Sequence, residues 1–174
     1  MSTATYVPVD LPEGKRLAQL TGIHNDLREC RDYCELYFKL RKMGLDTLIL
    51  HQLSESVVST IFVRYGRCFN EGVRSKTQKE LEATIAADYL DTHRLALDCR
   101  NKHFAHSVNA FEHHSIIVSL VTDAPERAVT SVSVGSHYVT SLDDFVFENL
   151  IRGIDKLCEW LLGEEKKSAN DSSL

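Results

Sequence analysis

Leu17, Leu20, Ile23, Leu27, Cys30, Cys34 and Phe38 recur at steps of three and four, the spacing that lines one face of a helix. The pattern predicts a first helix from about Gly14 to Met43, with Gly44 as its stop. Residues 1–13 hold Pro8 and Pro12 without periodicity and read as an irregular lead-in. Leu50, Leu53, Val57, Ile61, Tyr65 and Phe69 repeat the helical spacing, so a second helix is expected over about Asp46 to Gly72, capped by Asp46. Thr77 and Glu80 have the spacing of a capping box. They should open a third helix running through Leu81, Ile85, Tyr89, Leu90, His93 and Leu97 to Arg100, Asn101 and Phe104.

The period then changes. Ser115–Val121 and Ala128–Val134 are rich in Ile, Val, Thr and Ser, and Asp123-Ala124-Pro125-Glu126 between them is a turn signal. A β-hairpin is expected at about residues 113–140, with Gly135-Ser136 interrupting its second strand. A lone hairpin is marginal in water, so it must pack on the helices or pair with a partner's strand. Ser141 and Asp144 signal a last helix through Phe145, Leu150, Ile154, Leu157, Trp160 and Leu161, ending at Gly163. The tail 164–174 reads as disordered. The fold class that results is mainly α: a bundle of four main helices over residues 14–163, with a hairpin inserted before the last helix.

Composition narrows the picture. With 174 residues the chain suits one domain with a proper core. A formal charge of −5 argues against binding nucleic acid over a broad surface, while leaving room for a small basic site. No apolar run approaches the roughly 20 residues of a spanning helix, and the N-terminus lacks the features of a signal peptide. Five cysteines without a paired framework fit a reducing compartment, so a cytoplasmic location is expected with no membrane partner. Cys30 and Cys34 lie one helical turn apart and read as two small core residues rather than a redox or metal pair. No phosphate-binding glycine loop and no nucleophile elbow is present.

The chemistry-bearing stretch is Arg100-Asn101-Lys102-His103, followed by His106. Arginine offers a rigid fork of donors that matches phosphate oxygens, and histidine exchanges a proton near neutral pH. Together they suit attack of an RNA 2′-hydroxyl on its neighbouring phosphate without a metal. Six residues of ideal helix turn through about 600°, so Arg100 and His106 would stand roughly 120° apart. The helix must distort or end near Ala105, or a second subunit must supply the partner. Arg100 and His103, three apart, would share a face of an ideal helix, which makes His103 the rival for the catalytic role.

Arg100-Asn101 with His106 resembles the R-N-x(4–6)-H signature of the HEPN superfamily. The resemblance implies an all-helical core, a homodimer that brings two motifs together, and a metal-independent RNase leaving 2′,3′-cyclic phosphate ends. Many such members belong to toxin–antitoxin or abortive-infection systems. Carried onto this chain, it makes Arg100, Asn101 and His106 catalytic, with Lys102 and His103 as supporting substrate contacts. RNA would be the substrate, an antitoxin a possible protein partner, and no cofactor would be needed. Zinc binding by Cys99, His103, His106, His113 and His114 is the competing chemistry; their spacing fits no defined zinc motif, and Arg100 and Lys102 would repel the ion. The alternative class is a non-catalytic HEPN-like module that binds a protein partner or a nucleotide.

Overall fold

The computed structural model describes residues 12–69, 75–104, 112–121, 128–138 and 142–171. These form five α-helices, a π-helical turn and a two-stranded antiparallel sheet. The helices are α1 (Pro12–Arg41), α2 (Thr47–Arg67), α3 (Ser75–Glu82), α4 (Ala87–Asp98) and α5 (Asp144–Asp171). The π-helical turn is Cys99–Phe104, and the strands are β1 (Glu112–Val121) and β2 (Ala128–Tyr138). The molecule is therefore mainly helical, with the hairpin inserted before the last helix.

Helix α1 is the central element, packed along α2 on one side and α5 on the other, while α4 closes the bundle between α2 and α5. Its predicted stripe faces inward: Leu20, Ile23, Leu27, Cys30 and Cys34 are fully buried. They meet Val57, Ile61, Phe62 and Tyr65 of α2 and Phe147, Leu150, Ile154, Leu157 and Leu161 of α5 in one core. Phe147, which the α5 spacing did not single out, centres an aromatic cluster. Its ring lies 4.4 Å from that of Tyr37 and 6.1 Å from that of Phe62. Tyr37 thus belongs to the core. Cys30 donates its thiol hydrogen to the Ile61 carbonyl at 3.4 Å, and the neighbouring Cys34 and burial both push that thiol's pKa up. Both cysteines act as small core residues.

Local sequence explains most helix boundaries. Pro12 occupies the first position of α1, where a missing N–H costs nothing. Gly44 takes φ +63°, the left-handed conformation that stops a helix most cheaply at glycine. Asp46 caps α2 by accepting from the Leu48 N–H at 2.9 Å. At α5 the cap is Asp143, which accepts from the Phe145 N–H at 3.0 Å; Ser141 lies outside the described residues.

Three expectations for the helices are corrected. The third helix is two helices, α3 and α4, separated at residues 83–86 with neither glycine nor proline there. The Thr84 hydroxyl turns back to the Leu81 carbonyl at 2.7 Å, an alternative partner that competes with helix continuation. The Thr77–Glu80 box does not cap anything, because α3 already starts at Ser75. Thr77 instead is buried and bonds the Gln19 side chain, while Glu80 pairs with Arg16 at 3.0 Å. Finally, α5 runs through Gly163 to Asp171 instead of stopping there. Glu164 pairs with Arg16 at 3.1 Å and Glu165 with His24 at 3.3 Å, and Ser168 is buried, so tertiary contacts hold the extra turns. The lead-in before Pro12 lies outside the described residues.

Strand β2 continues past Gly135 and Ser136, which pair with Ser115 and His114, so no break occurs there. One irregularity falls between Ser119 and Leu120, where Thr130 is the extra residue of a bulge.

Candidate functional site

Helix α4 carries the Arg-Asn motif to the bundle's edge, and its own packing fixes where the motif sits. His93 is buried, and its Nδ1 shares a 3.0 Å hydrogen bond with the Tyr65 hydroxyl of α2. The Phe69 ring meets the imidazole edge-on at 4.7 Å. Burial lowers the His93 pKa below its usual value and raises that of Tyr65, so both are neutral at pH 7. A neutral phenol donates to Nδ1, which suits the tautomer carrying its proton on Nε2. That buried Nε2 has no hydrogen-bond acceptor among the described residues, and the Glu82 carboxylate stands 3.9 Å away. The contact is electrostatic at that distance rather than a hydrogen bond.

Beyond Asp98 the chain leaves α winding for the π-helical turn Cys99–Phe104, which contains Arg100, Asn101, Lys102 and His103. Such i→i+5 turns are rare and concentrate at functional sites. Each residue of a π turn rotates less than in an α-helix, so the rule that positions three apart share a face does not apply between residues 100 and 103. Cys99 stays buried on the core side, and burial lifts its thiol pKa to about 11.

Arg100 is half-buried and lies across α2 at Gly66. A Cβ built on Gly66 would stand 2.8 Å from the Arg100 Cγ, closer than carbon atoms approach, and a tight 3.1 Å from its Cδ. A larger residue at position 66 would displace the aliphatic stem from this seat. The guanidinium Nη1 donates to the Asn101 side-chain oxygen at 2.7 Å, and Asn101 is exposed. Thus stem, head and amide are located together, with α2 as the floor.

Of the five candidate residues, Arg100 and Asn101 are brought together. Lys102 and His103 have their backbone in the π turn, and His106 lies outside the described residues. Arg64 and Arg67, the cations in the last turn of α2, face α1 carboxylates: Arg64 pairs with Asp26 at 3.6 Å and closely with Glu29, and Arg67 reaches Asp26 at 3.9 Å. Arg64 also lies 5.6 Å from the centre of the Tyr33 ring. A phosphate at these positions would compete with carboxylates already in place. Among the described residues, no three His, Cys, Asp or Glu side chains converge as a metal site would require. A shallow groove lined by Tyr65, Thr84, Ile85, Tyr89 and Lys156, among others, includes neither Arg100 nor Asn101. No described helix is long and apolar enough to cross a membrane.

Sequence reasoning missed Gly66 and the Tyr65–His93 pair. A signal for Gly66 was available, because a glycine inside a helix costs roughly 0.5–1 kcal/mol and calls for a compensating contact. None existed for Tyr65–His93, since both fell on apolar stripes where aromatic side chains are expected. No protein-family model, no curated protein and no solved structure matches this chain.

Proposed function

We propose that the protein is a metal-independent endoribonuclease of HEPN type, acting in a defence or toxin–antitoxin setting. The observation that carries this reading is the Arg100 side chain seated on Gly66 and joined to Asn101 at the π-helical turn. An arginine held at both stem and head loses little freedom on meeting a phosphodiester, so its positive charge would already be in place where negative charge develops.

In the proposed reaction the 2′-hydroxyl of RNA loses its proton and attacks the adjacent phosphorus. The bond to the 5′-oxygen breaks, that oxygen takes up a proton, and a 2′,3′-cyclic phosphate and a 5′-hydroxyl result. Arg100 stabilises the charge on the phosphoryl oxygens, Asn101 orients Arg100 or the phosphate, and His106 moves the proton. Lys102 and His103 supply supporting contacts. Two protons move at different oxygens, so two copies of the motif in a homodimer would provide both transfer groups. RNA is then the substrate, and a neutralising antitoxin is the protein partner this setting calls for.

The alternative is a non-catalytic HEPN-like module that binds a protein or a nucleotide. The net charge of −5 and the engagement of Arg100 by Asn101 favour it. Mixed RNA incubated with the protein in excess EDTA separates the two. The nuclease gives 2′,3′-cyclic ends, and Arg100→Ala and His106→Ala each lower the rate by at least about 100-fold with the helical fold retained. Undiminished cleavage by both variants, or none by the folded wild type, rejects the nuclease.

A further inference from the structure

The hairpin has two unlike faces. Cross-strand partners lie on the same side of a sheet, so the register places Ile116 with Val134 and Val118 with Val132 on one face, and Val129 joins them beyond the bulge. The other face holds Ser115 with Gly135, Ile117 with Ser133 and Ser119 with Ser131. The bulge sets this up. Val129 is three residues from Val132, an odd number, so in a regular strand without the bulge it would fall among the serines. Thr130 is held in its bulged place by donating its hydroxyl to the Ser119 carbonyl at 3.1 Å.

The sorted apolar face is uncovered. Ile116, Val118, Val129, Val132 and Val134 are 46–74% exposed, and no hairpin side chain that is described is buried. A two-stranded sheet with an open apolar face is not stable by itself. At about 60–120 Å² of apolar surface per aliphatic side chain, these five present on the order of 200–400 Å². That is comparable with the largest apolar patch of an ordinary monomer, which is often functional.

We propose that this face docks on the same face of a second copy of the chain, the two hairpins stacking as a four-stranded sandwich about a two-fold axis. Charge selects the occupant. From His113 to Val121 and from Ala128 to Tyr138 there is no Asp, Glu, Lys or Arg, in a molecule of net charge −5. A charged partner finds no complement there, whereas two acidic copies meet at this neutral patch with least repulsion. Edge-to-edge pairing would lengthen the apolar face without covering it; stacking at the usual sheet separation of about 10 Å covers both copies at once. Two such faces bury on the order of 400–800 Å² from these side chains, below the roughly 1,200 Å² of a standard interface. The association is therefore weak and concentration-dependent, on the order of micromolar or looser. It does not rest on the nuclease reading: a dimer weakened by Val132→Asp without RNA cleavage, or RNA cleavage by a dimer indifferent to Val132→Asp, separates the two.

The test is sedimentation velocity of the full chain from low micromolar to near-millimolar concentration, with circular dichroism beside it. Wild type should move from 19.7 kDa toward twice that mass. Val132→Asp, on the apolar face, should raise the midpoint concentration at least tenfold. Ser133→Asp, one residue along on the serine face, puts the same charge into the same strand and should leave the midpoint within about threefold. A wild type that stays monomeric overturns the proposal and leaves the face to a different protein. So does a dimer indifferent to Val132→Asp, or one that Ser133→Asp disrupts equally.

Discussion

The bundle and the hairpin use the same kinds of side chain and treat them in opposite ways. Ile23, Ile61 and Ile154 are fully buried between helices, whereas Ile116, Val132 and Val134 stand in a well-sorted row and are mostly exposed. Both regions are amphipathic by pattern. Five helices have enough faces to cover one another, and α1 alone is wrapped by α2 and α5. Two strands have a single apolar face and nothing of their own to set against it. An apolar stripe therefore fixes which way residues point without fixing what they meet.

The contrast is open to test, beginning with the largest effect. Phe147→Ala empties the centre of the aromatic cluster and should cost about 3–5 kcal/mol in urea unfolding. Val132→Ala on the hairpin should change the stability of the monomer by no more than about 0.5 kcal/mol. Equal costs would mean that the hairpin folds as part of the core.

Gly66→Ala separates folding from chemistry inside the bundle. Alanine favours the helix by up to about 1 kcal/mol, yet its Cβ must push the Arg100 stem aside. Stability should stay within about 1 kcal/mol of wild type while EDTA-resistant RNA cleavage falls by at least about tenfold. Full cleavage by this variant would show that the Gly66 seat does not position Arg100.

A pH titration of stability isolates the α2–α4 contact. Burial lowers the His93 pKa in the folded protein, so below the ordinary value near 6.5 the unfolded chain binds the extra proton more readily. His93 thus contributes stability that is complete above pH 6.5 and declines as the pH falls toward its folded value. The slope in that window is at most about 1.4 kcal/mol per pH unit for one proton, and His93→Gln should flatten it. An unchanged slope in that variant would place the proton uptake elsewhere. The smallest change expected in the bundle is Asp46→Ala, which removes the α2 cap and should cost about 1 kcal/mol in urea unfolding.

Much of this fold was legible in the chain. Three- and four-residue spacing located α1, α2 and α5, Gly44 and Asp46 marked a stop and a start, and Ile-, Val-, Thr- and Ser-rich runs on either side of a turn signal located both strands. These signals are local, because backbone conformation and nearest neighbours dictate them. The motif was legible as residue types only.

What the sequence did not contain was decided between elements far apart in the chain. Gly163 does not end α5, because Arg16 and His24 hold Glu164 and Glu165 in further turns. Thr77 does not cap α3, because burial beside Gln19 uses its hydroxyl. Arg100 has its place because α4, fastened through His93 and Tyr65, brings it to a glycine on α2. Along the chain, sequence determined which residues prefer a helix, a strand or a turn, since those preferences are short-range energies. The tertiary structure alone decided where such elements continue and which side chains meet, since burial and pairing depend on residues dozens of positions away.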